Sequence, residues 1–576
     1  MAELKASSKV THRFAATLVD ELARQGLAAV CICPGSRSAP LAIAFARHPA
    51  IQVYIHIDER SASFFALGLA KLTDRPVAVL TTSGTATAEL HPAVVEADLS
   101  RTPLLVLTAD RPPELREVGA NQVIDQGHIY GGAVRWYFDP GPPEDSEAAA
   151  RRWRRLAARA IAEARGQPMG PVHLNLPLRE PLTPEPGLQG VAEAAGSALR
   201  VEAARAEPAP AEVELLAAAI TGAKRPLIVA GEMRDGARLA GPLQALADSR
   251  RVPILAEPTS HLRVKGLSSL VESYDALLRE PEWSEAHRPD LVVRLGAAPT
   301  SRALSQLLTA SAARQIVIDE AGYLDPELGA DVFLRGDASR LLRQAAERIG
   351  VPWGDGAWLQ QWRDAGAIAA SAVGRALDRS PLHEGHVVRA LAQSLPPRST
   401  LMVGSSMAVR DLDTFWPPQP EGFRLIANRG ASGIDGLVST GLGALAGSGG
   451  RGALLLGDLS LYHDMNGLWA IRRHGLIPLV VVLDNNGGGI FEFLPPALHP
   501  DVFEEVFATP LNLDLADVAR LYGLEYRQLD DAGQLPDVMK AALAAKAPTL
   551  LAARFGRRQS VDGHHACWAA VSEALL

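Results

Sequence analysis

Residues 457–493 read GDLSLYHDMNGLWAIRRHGLIPLVVVLDNNGGGIFEF, and the rest of the chain is organised around them. An apolar run, Ala453 to Leu456, ends in Gly457-Asp458, and a helix-like segment follows. A second apolar run, Leu479 to Leu483, ends in Asp484-Asn485-Asn486 and three glycines. This is a strand–helix–strand unit with polar residues at the carboxyl ends of both strands, where open α/β sheets hold their ligands. Asp458 and Asn485 are 27 positions apart, yet neighbouring parallel strands bring such positions together. A carboxylate, an amide oxygen and a freed backbone carbonyl suit a small hard cation such as Mg2+ that also grips phosphate. The glycines after Asn486 permit the bends and close approach such a loop requires. An ordinary βαβ unit with polar turn residues is the plainer alternative.

The chain has 576 residues, too many for one core, so three domains of roughly 150–200 residues are expected. Hydrophobic content of 47% and charged content of 21% describe a well-folded soluble protein. A net charge of −8 without a dense Lys/Arg tract argues against a nucleic-acid binder. Of the three cysteines, Cys31 and Cys33 fall in an apolar run and read as buried small hydrophobes, and Cys567 stands alone. Neither a zinc site nor a disulfide framework is implied. The N-terminal MAELKASSKVTHRF has no apolar signal core, and the longest apolar runs are strand-length. A cytoplasmic protein with no membrane association is expected.

Residues 12–190 alternate strand and helix patterns. The apolar run Ala28 to Cys33 stops at Pro34-Gly35-Ser36-Arg37, and Val53 to Ile57 is followed by Asp58-Glu59-Arg60. Val77 to Leu80 ends in Thr81-Thr82-Ser83-Gly84-Thr85, and Leu104 to Thr108 ends in Ala109-Asp110-Arg111. Such alternation predicts a parallel sheet covered on both faces. A Pro-, Gly- and Ala-rich connection from Pro181 to about Pro210 closes this unit. A shorter α/β set follows, with strands Pro226 to Ala230, Leu291 to Leu295 and Gln315 to Ile318. No G-x-G-x-x-G opens a helix there, which disfavours a dinucleotide. A linking helix, Trp358 to Leu377, leads to a third set with strands at Leu401, Leu425, Ala453, Leu479 and Thr549. The fold class is α/β, with three doubly wound parallel-sheet domains at 1–190, 205–350 and 375–576. The first and third are candidates for a shared architecture.

The Gly-Asp pair followed some two dozen residues later by Asn-Asn resembles the diphosphate-binding motif of the thiamine diphosphate enzymes. The resemblance implies that 1–190 binds the cofactor's pyrimidine, 375–576 its diphosphate, and 205–350 forms a central domain. It implies Asp458, Asn485 and the Gly487 carbonyl as ligands of Mg2+, with Mn2+ as an alternative. Leu459, Ser460, Gly488, Phe491 and Leu494 would border the cofactor, and Ile490 would wedge beneath it to enforce the bent conformation. Glu59, just beyond a strand and opening a helix, would hydrogen-bond the aminopyrimidine N1′. Locally, a carboxylate at a helix start also has a dipole explanation. Because the two ends of the cofactor fall in different domains, the resemblance implies a homodimer or homotetramer with active sites at subunit interfaces.

Longer strings narrow the likeness. CPGSRSAPLA (33–42), ADRPPEL (109–115), GANQ (119–122), NRGASGIDG (428–436) and NNGGGIF (485–491) are similar to the 2-succinyl-5-enolpyruvyl-6-hydroxy-3-cyclohexene-1-carboxylate synthases of menaquinone biosynthesis. These are transferases that decarboxylate 2-oxoglutarate and add the succinyl carbanion equivalent in 1,4 fashion to isochorismate. Both substrates are dianions, and guanidinium pairs with carboxylate oxygens. The resemblance implies Ser406, Arg410 and Arg429 for the 2-oxoglutarate-derived moiety. It implies Ser36, Arg37, Arg111 and Arg302 for isochorismate, with Asn121 and Gln122 beside the reacting centre. Ser406 would also touch the cofactor, and Glu59, Gln122 and Ile490 form the catalytic set. His564-His565 reads as structural or surface. Two alternatives stay open: an acetolactate synthase-type carboligase, and a non-catalytic homologue of the same fold.

Overall fold

The computed structural model describes residues 2–146, 148–184, 199–202, 206–234, 236–350 and 356–576. Much of the Pro-, Gly- and Ala-rich connection expected after Pro181 lies outside them. The chain forms two compact units, one of residues 1–204, 428–450 and 463–476, the other of 205–427, 451–462 and 477–576. The segments 428–450 and 463–476, read from sequence as part of the third α/β set, thus pack with the first sheet.

The first unit is built on six parallel strands: β1 (Ala29–Ile32), β2 (Gln52–Ile55), β3 (Val77–Thr81), β4 (Leu104–Asp110), β5 (Trp136–Phe138) and β6 (Val172–Pro177). Their order is β2-β1-β3-β4-β6-β5. The central strands are apolar on both faces because helices cover both. Val30, Ile32, Ala78, Leu80, Leu105, Leu107 and Leu174 meet Phe14, Leu18, Leu22 and Trp153 of the helices Ala2–Arg24 and Ala149–Ala164. On the other side the Glu59–Thr73 helix packs against the helix Leu437–Gly447 at backbone distance. A Cβ on Gly68 would lie 1.8 Å from the Thr440 carbonyl oxygen, and one on Gly443 2.0 Å from that of Phe65. Cys31 and Cys33 are buried free thiols, as expected, and burial pushes both pKa values up.

The second unit contains two parallel sheets. One has β7 (Pro226–Ala230), β8 (Ile254–Ala256), β9 (Leu291–Leu295), β10 (Arg314–Ile318) and β11 (Val332–Leu334), in the order β11-β10-β9-β7-β8. The other has β12 (Thr400–Val403), β13 (Arg424–Ile426), β14 (Arg451–Gly457), β15 (Ile477–Asp484), β16 (Glu525–Leu529) and β17 (Thr549–Arg554), in the order β13-β12-β14-β15-β17-β16. Strand for strand, that is the order of the first unit's sheet. The linking helix, Ala357–Leu377, packs along the helix Arg557–Leu575. Its Trp362 is fully buried against Trp283, with ring centroids 4.7 Å apart and planes perpendicular.

A buried polar joint ties the two sheets together. Arg263 donates to the Asp413 carboxylate (2.6 Å) and carbonyl (2.7 Å), and Tyr274 donates to the same carboxylate (2.6 Å). Asp275 accepts from Ser301 (2.6 Å) and Thr414 (2.8 Å). Asp413 and Thr414 belong to the helix Met407–Phe415, so this joint orients the helix that carries Arg410. Among the described residues no helix is long and apolar enough to cross a membrane.

Alanine has the better helix propensity by about 1 kcal/mol, but overpacking costs about 1–3 kcal/mol and a 1.8 Å approach to a carbonyl demands a backbone shift. Gly68→Ala is therefore expected to lower the thermal unfolding midpoint. A midpoint at or above that of the unaltered protein would remove close helix packing as the reason for this glycine.

Candidate active site

β14 and β15 are adjacent and in register, Gly457 opposite Leu483. This brings the residues just beyond each strand together, as their spacing predicted. Asp458 opens the short helix Asp458–His463 and is only 4% exposed. Its carboxylate accepts the N–H groups of Leu459 (2.8 Å) and Gly487 (2.7 Å). Burial raises its pKa to about 6, against the pull of those donors.

Asn485 Oδ1 is buried and has no hydrogen-bond partner among the described residues. Asn486 is left-handed (φ 58°), and its side chain pairs with Asn512 through two hydrogen bonds of 2.9 and 3.0 Å. Gly487 has φ 135°, and a Cβ there would lie 2.2 Å from the Ala508 carbonyl oxygen. Its own carbonyl accepts the Gly489 N–H (2.9 Å), which leaves a second lone pair. One carboxylate, one orphaned amide oxygen and one carbonyl thus lie on the turns that follow two adjacent strands, and this donor set fits a hard divalent cation. Ile490, Phe491 and Leu494 follow as half-buried apolar residues on a short 3-10 turn, with Gly488 and Ser460 buried and Leu459 half-buried.

Sequence reasoning missed the clamp on this loop. Arg557, the first residue of the last helix, donates to the Asn486 carbonyl (2.6 Å) and the Glu492 carboxylate (3.4 Å), and also pairs with Glu504 (2.6 Å). Its position straight after β17 is the only local signal.

In the first unit, Glu59 opens its helix behind the N-cap Asp58, whose side chain accepts the Ser61 N–H (3.0 Å). Glu59 is half-buried, and desolvation raises its pKa, with Asp58 and Glu89 adding to the effect and its own backbone N–H opposing it. The turn is held by Arg60, which donates to the His463 carbonyl (2.8 Å), and by Ser61, which donates to buried Asp464 (3.3 Å).

The loops after β1, β3 and β4 bring several other named residues together. Arg111 donates to the Gln122 carbonyl (2.8 Å) and to Ser83 Oγ, and Gln122 donates to the Ser83 carbonyl (2.9 Å). Gln122 is left-handed (φ 58°), and it, Asn121 and Ser36 are exposed. Arg37 is buried and donates to the Leu178 carbonyl (2.8 Å). Burial and then Arg37 depress the Arg111 pKa. Asp110 and Glu180 oppose that lowering, and Arg37 itself lies 3.4 Å from the Glu180 carboxylate.

Ser406 precedes the Met407–Phe415 helix at φ 65°, ψ −130°, a strained conformation for a residue with a side chain. Its carbonyl accepts from exposed Arg410 (2.6 Å). Arg429, half-buried, belongs to the first unit. Arg302 lines a cavity of about 620 Å³ with Arg279, Arg288 and Trp568.

The two adjacent histidines part company. His565 is exposed, whereas His564 is buried, donates to the Asp411 carboxylate (2.9 Å) and the Ser560 carbonyl (2.8 Å), and packs edge-on against Phe493 of the glycine loop. Ser560 in turn donates to buried Glu384 (2.8 Å). His383, Glu384 and His564 place ligand atoms within 4.8 Å of one another. Both His564 nitrogens are already committed, however, and His383 Nδ1 accepts the Gly385 N–H (3.2 Å), which puts its proton on Nε2. The cluster therefore holds protons rather than a cation. Burial raises Glu384 to about 7, whereas Asp411 holds His564 protonated up to about 9.

Residues 12–129 match the family "Thiamine pyrophosphate enzyme, N-terminal TPP binding domain", and residues 415–553 match the corresponding C-terminal TPP binding domain. A solved benzoylformate decarboxylase from Polynucleobacter necessarius shares the fold, with a TM-score of 0.72 at 18% identity over 94% of this chain and 98% of that one. The two family matches define a thiamine pyrophosphate enzyme. Within that class, a 2-succinyl-5-enolpyruvyl-6-hydroxy-3-cyclohexene-1-carboxylate synthase of Geobacillus kaustophilus is 44% identical over 98% of both chains. Synthases of the same name from Chloroflexus aurantiacus and Halobacterium salinarum are each 42% identical, over 98% and 92% of this chain and 97% and 93% of theirs. The chain belongs to this synthase family.

His564 tests the electrostatics around the loop. Its folded pKa lies above the ordinary histidine value of about 6.5, so its stabilising contribution is complete below about 6.5 and is lost as pH rises through about 9. Urea unfolding at a series of pH values is expected to show His564→Gln less stable than the unaltered protein at pH 6.5, with the gap closing towards pH 9. A gap that does not change with pH would mean that His564 is neutral.

Proposed function

We propose that this enzyme joins 2-oxoglutarate to isochorismate with loss of carbon dioxide, forming 2-succinyl-5-enolpyruvyl-6-hydroxy-3-cyclohexene-1-carboxylate for menaquinone biosynthesis. The observation that carries the reading is the buried Asn485 Oδ1, unpartnered among the described residues, on the turn after β15, with the buried Asp458 carboxylate at the end of the adjacent parallel strand. In this reading Asp458, Asn485 and the Gly487 carbonyl hold Mg2+, and through it the cofactor's diphosphate. The bound thiazolium supplies the electron sink for decarboxylation. Glu59 holds a proton at the aminopyrimidine N1′, a task suited to a carboxyl whose pKa is raised by desolvation. Ile490 positions the cofactor, and Phe491 and Leu494 keep water from the reacting carbon.

Ser406, Arg410 and Arg429 receive the carboxylates of 2-oxoglutarate. Ser36, Arg37, Arg111 and Arg302 receive those of isochorismate, with Asn121 and Gln122 at the reacting centre. Domains at 1–190, 205–350 and 375–576, a homodimer or homotetramer with interfacial active sites, and a cytoplasmic location complete the proposal. A second small oxo acid carries one carboxylate and would call for fewer guanidinium groups than Arg37 and Arg111 supply, which favours the dianionic isochorismate.

Glu59→Gln is expected to lower carbon dioxide release from 2-oxoglutarate roughly 10²- to 10⁴-fold, while calorimetric binding of thiamine diphosphate with Mg2+ is retained. Full activity in that variant would overturn the role of Glu59. Asp458→Asn is expected to weaken Mg2+-dependent cofactor binding itself, and chelation is expected to do the same in the unaltered enzyme. Isochorismate should be consumed with 2-oxoglutarate and not with pyruvate, and the reverse preference would sink the substrate assignment.

A further inference from the structure

The segment Asn428-Arg429-Gly430-Ala431 lies in the first unit and is held on both sides of Arg429 by one buried ion pair. Lys71, on the Glu59–Thr73 helix, and Glu96, on the helix His91–Leu99, are 6% and 2% exposed and meet at 2.8 Å. Lys71 donates to the Asn428 side-chain oxygen (3.2 Å), and the Asn428 amide donates to Thr440 (3.0 Å). Glu96 accepts the Gly430 N–H on one oxygen (3.1 Å) and the Ala431 N–H on the other (2.7 Å). The loop lies flat against the Glu96 helix. A Cβ on Gly430 would lie 2.9 Å from the Glu96 carbonyl oxygen, the Leu99 Cβ and the Ser100 nitrogen.

Arg429 is the exception within this fixed segment. It is half-buried, and among the described residues its guanidinium makes no hydrogen bond or ion pair. A partly desolvated guanidinium left open is a seat for an incoming carboxylate. A buried Lys–Glu pair roughly breaks even in stability against apolar residues of similar size. Stability alone therefore gives little reason to place such a pair here, whereas orienting the loop gives a specific one.

We propose that the Lys71–Glu96 pair positions Arg429, and that Glu96 sets the affinity of the site for the 2-oxo dicarboxylate through the Gly430 and Ala431 N–H groups. This rests on the reading of Arg429 as a 2-oxoglutarate ligand. Glu96 and Lys71 touch no reacting atom in this scheme and act through the loop.

Steady-state kinetics of the holoenzyme test it. Glu96→Gln keeps one acceptor oxygen and turns an amide N–H towards a backbone N–H. KM for 2-oxoglutarate is expected to rise about tenfold, the equivalent of one charge-assisted hydrogen bond, with kcat and KM for isochorismate little changed. Gly430→Ala lifts the same loop without touching a charge and should shift the same constant, so it carries the test if Glu96→Gln does not fold. In an Arg429→Ala background, Glu96→Gln should add no further rise. An equal rise in that background would overturn the positioning role, as would a Glu96→Gln variant that loses melting temperature with no selective change in KM, or a Gly430→Ala variant with normal kinetics. If Arg429→Ala itself leaves KM for 2-oxoglutarate unchanged, the reading of Arg429 fails instead, which is a separate result.

Discussion

A carboxylate buried at the end of a strand must be met by donors or by a cation, and Asp458 shows how much structure that requirement recruits. Its oxygens take the Leu459 and Gly487 N–H groups, and Gly487 reaches Asp458 only because β14 and β15 run parallel in register. That reach demands a backbone conformation closed to side chains at Gly487, a left-handed Asn486, and a counter-grip on the Asn486 carbonyl from Arg557. Removing any one of these leaves the carboxylate buried without its partners, an expensive state in a low-dielectric setting. The loop is therefore over-determined, as the proposed cation and phosphate seat requires.

The sheet of the first unit and the β12–β17 sheet have the same strand order, yet their carboxyl ends are furnished differently. One set of loops gathers arginines, Gln122 and a carboxyl with a raised pKa, whereas the other gathers a buried carboxylate, an amide and glycines. Identical topology supplies the same positions, and only the side chains at the strand ends decide whether they seat an anion or a cation.

Strand ends and long motifs were legible in the sequence because parallel strands buried on both faces read as unbroken apolar runs. The pairing of Asp458 with the Asn485 loop, the Glu59 helix start and the linking helix all followed from such runs. The edge strands β2 and β13 were legible in the same way, but the opposite edges, β5 and β16, were not. Trp136–Phe138 has three residues, and Glu525–Leu529 is mostly exposed, so neither carries an apolar run. Arg557 sits beside an ordinary surface arginine, Arg558, and nothing local separates the two. His564 and His565 pose the same problem, because only the fold shows which one turns towards Asp411. The packing of 428–450 with the first sheet rests on glycines whose contacts are distant in sequence. Local pattern reports burial; it does not report which buried groups meet.

The last helix, Arg557–Leu575, has the look of a peripheral cap on the β12–β17 sheet, since it follows the final strand. Yet its first residue grips the glycine loop, its second turn feeds Glu384 through Ser560, and His564 presses on Phe493. Mutational tolerance along this helix should follow two different demands on two faces, ordinary packing against the Ala357–Leu377 helix and loop geometry at Arg557, Ser560 and His564. This helix, far from the motif in sequence, acts as an adjustable backstop for the glycine loop.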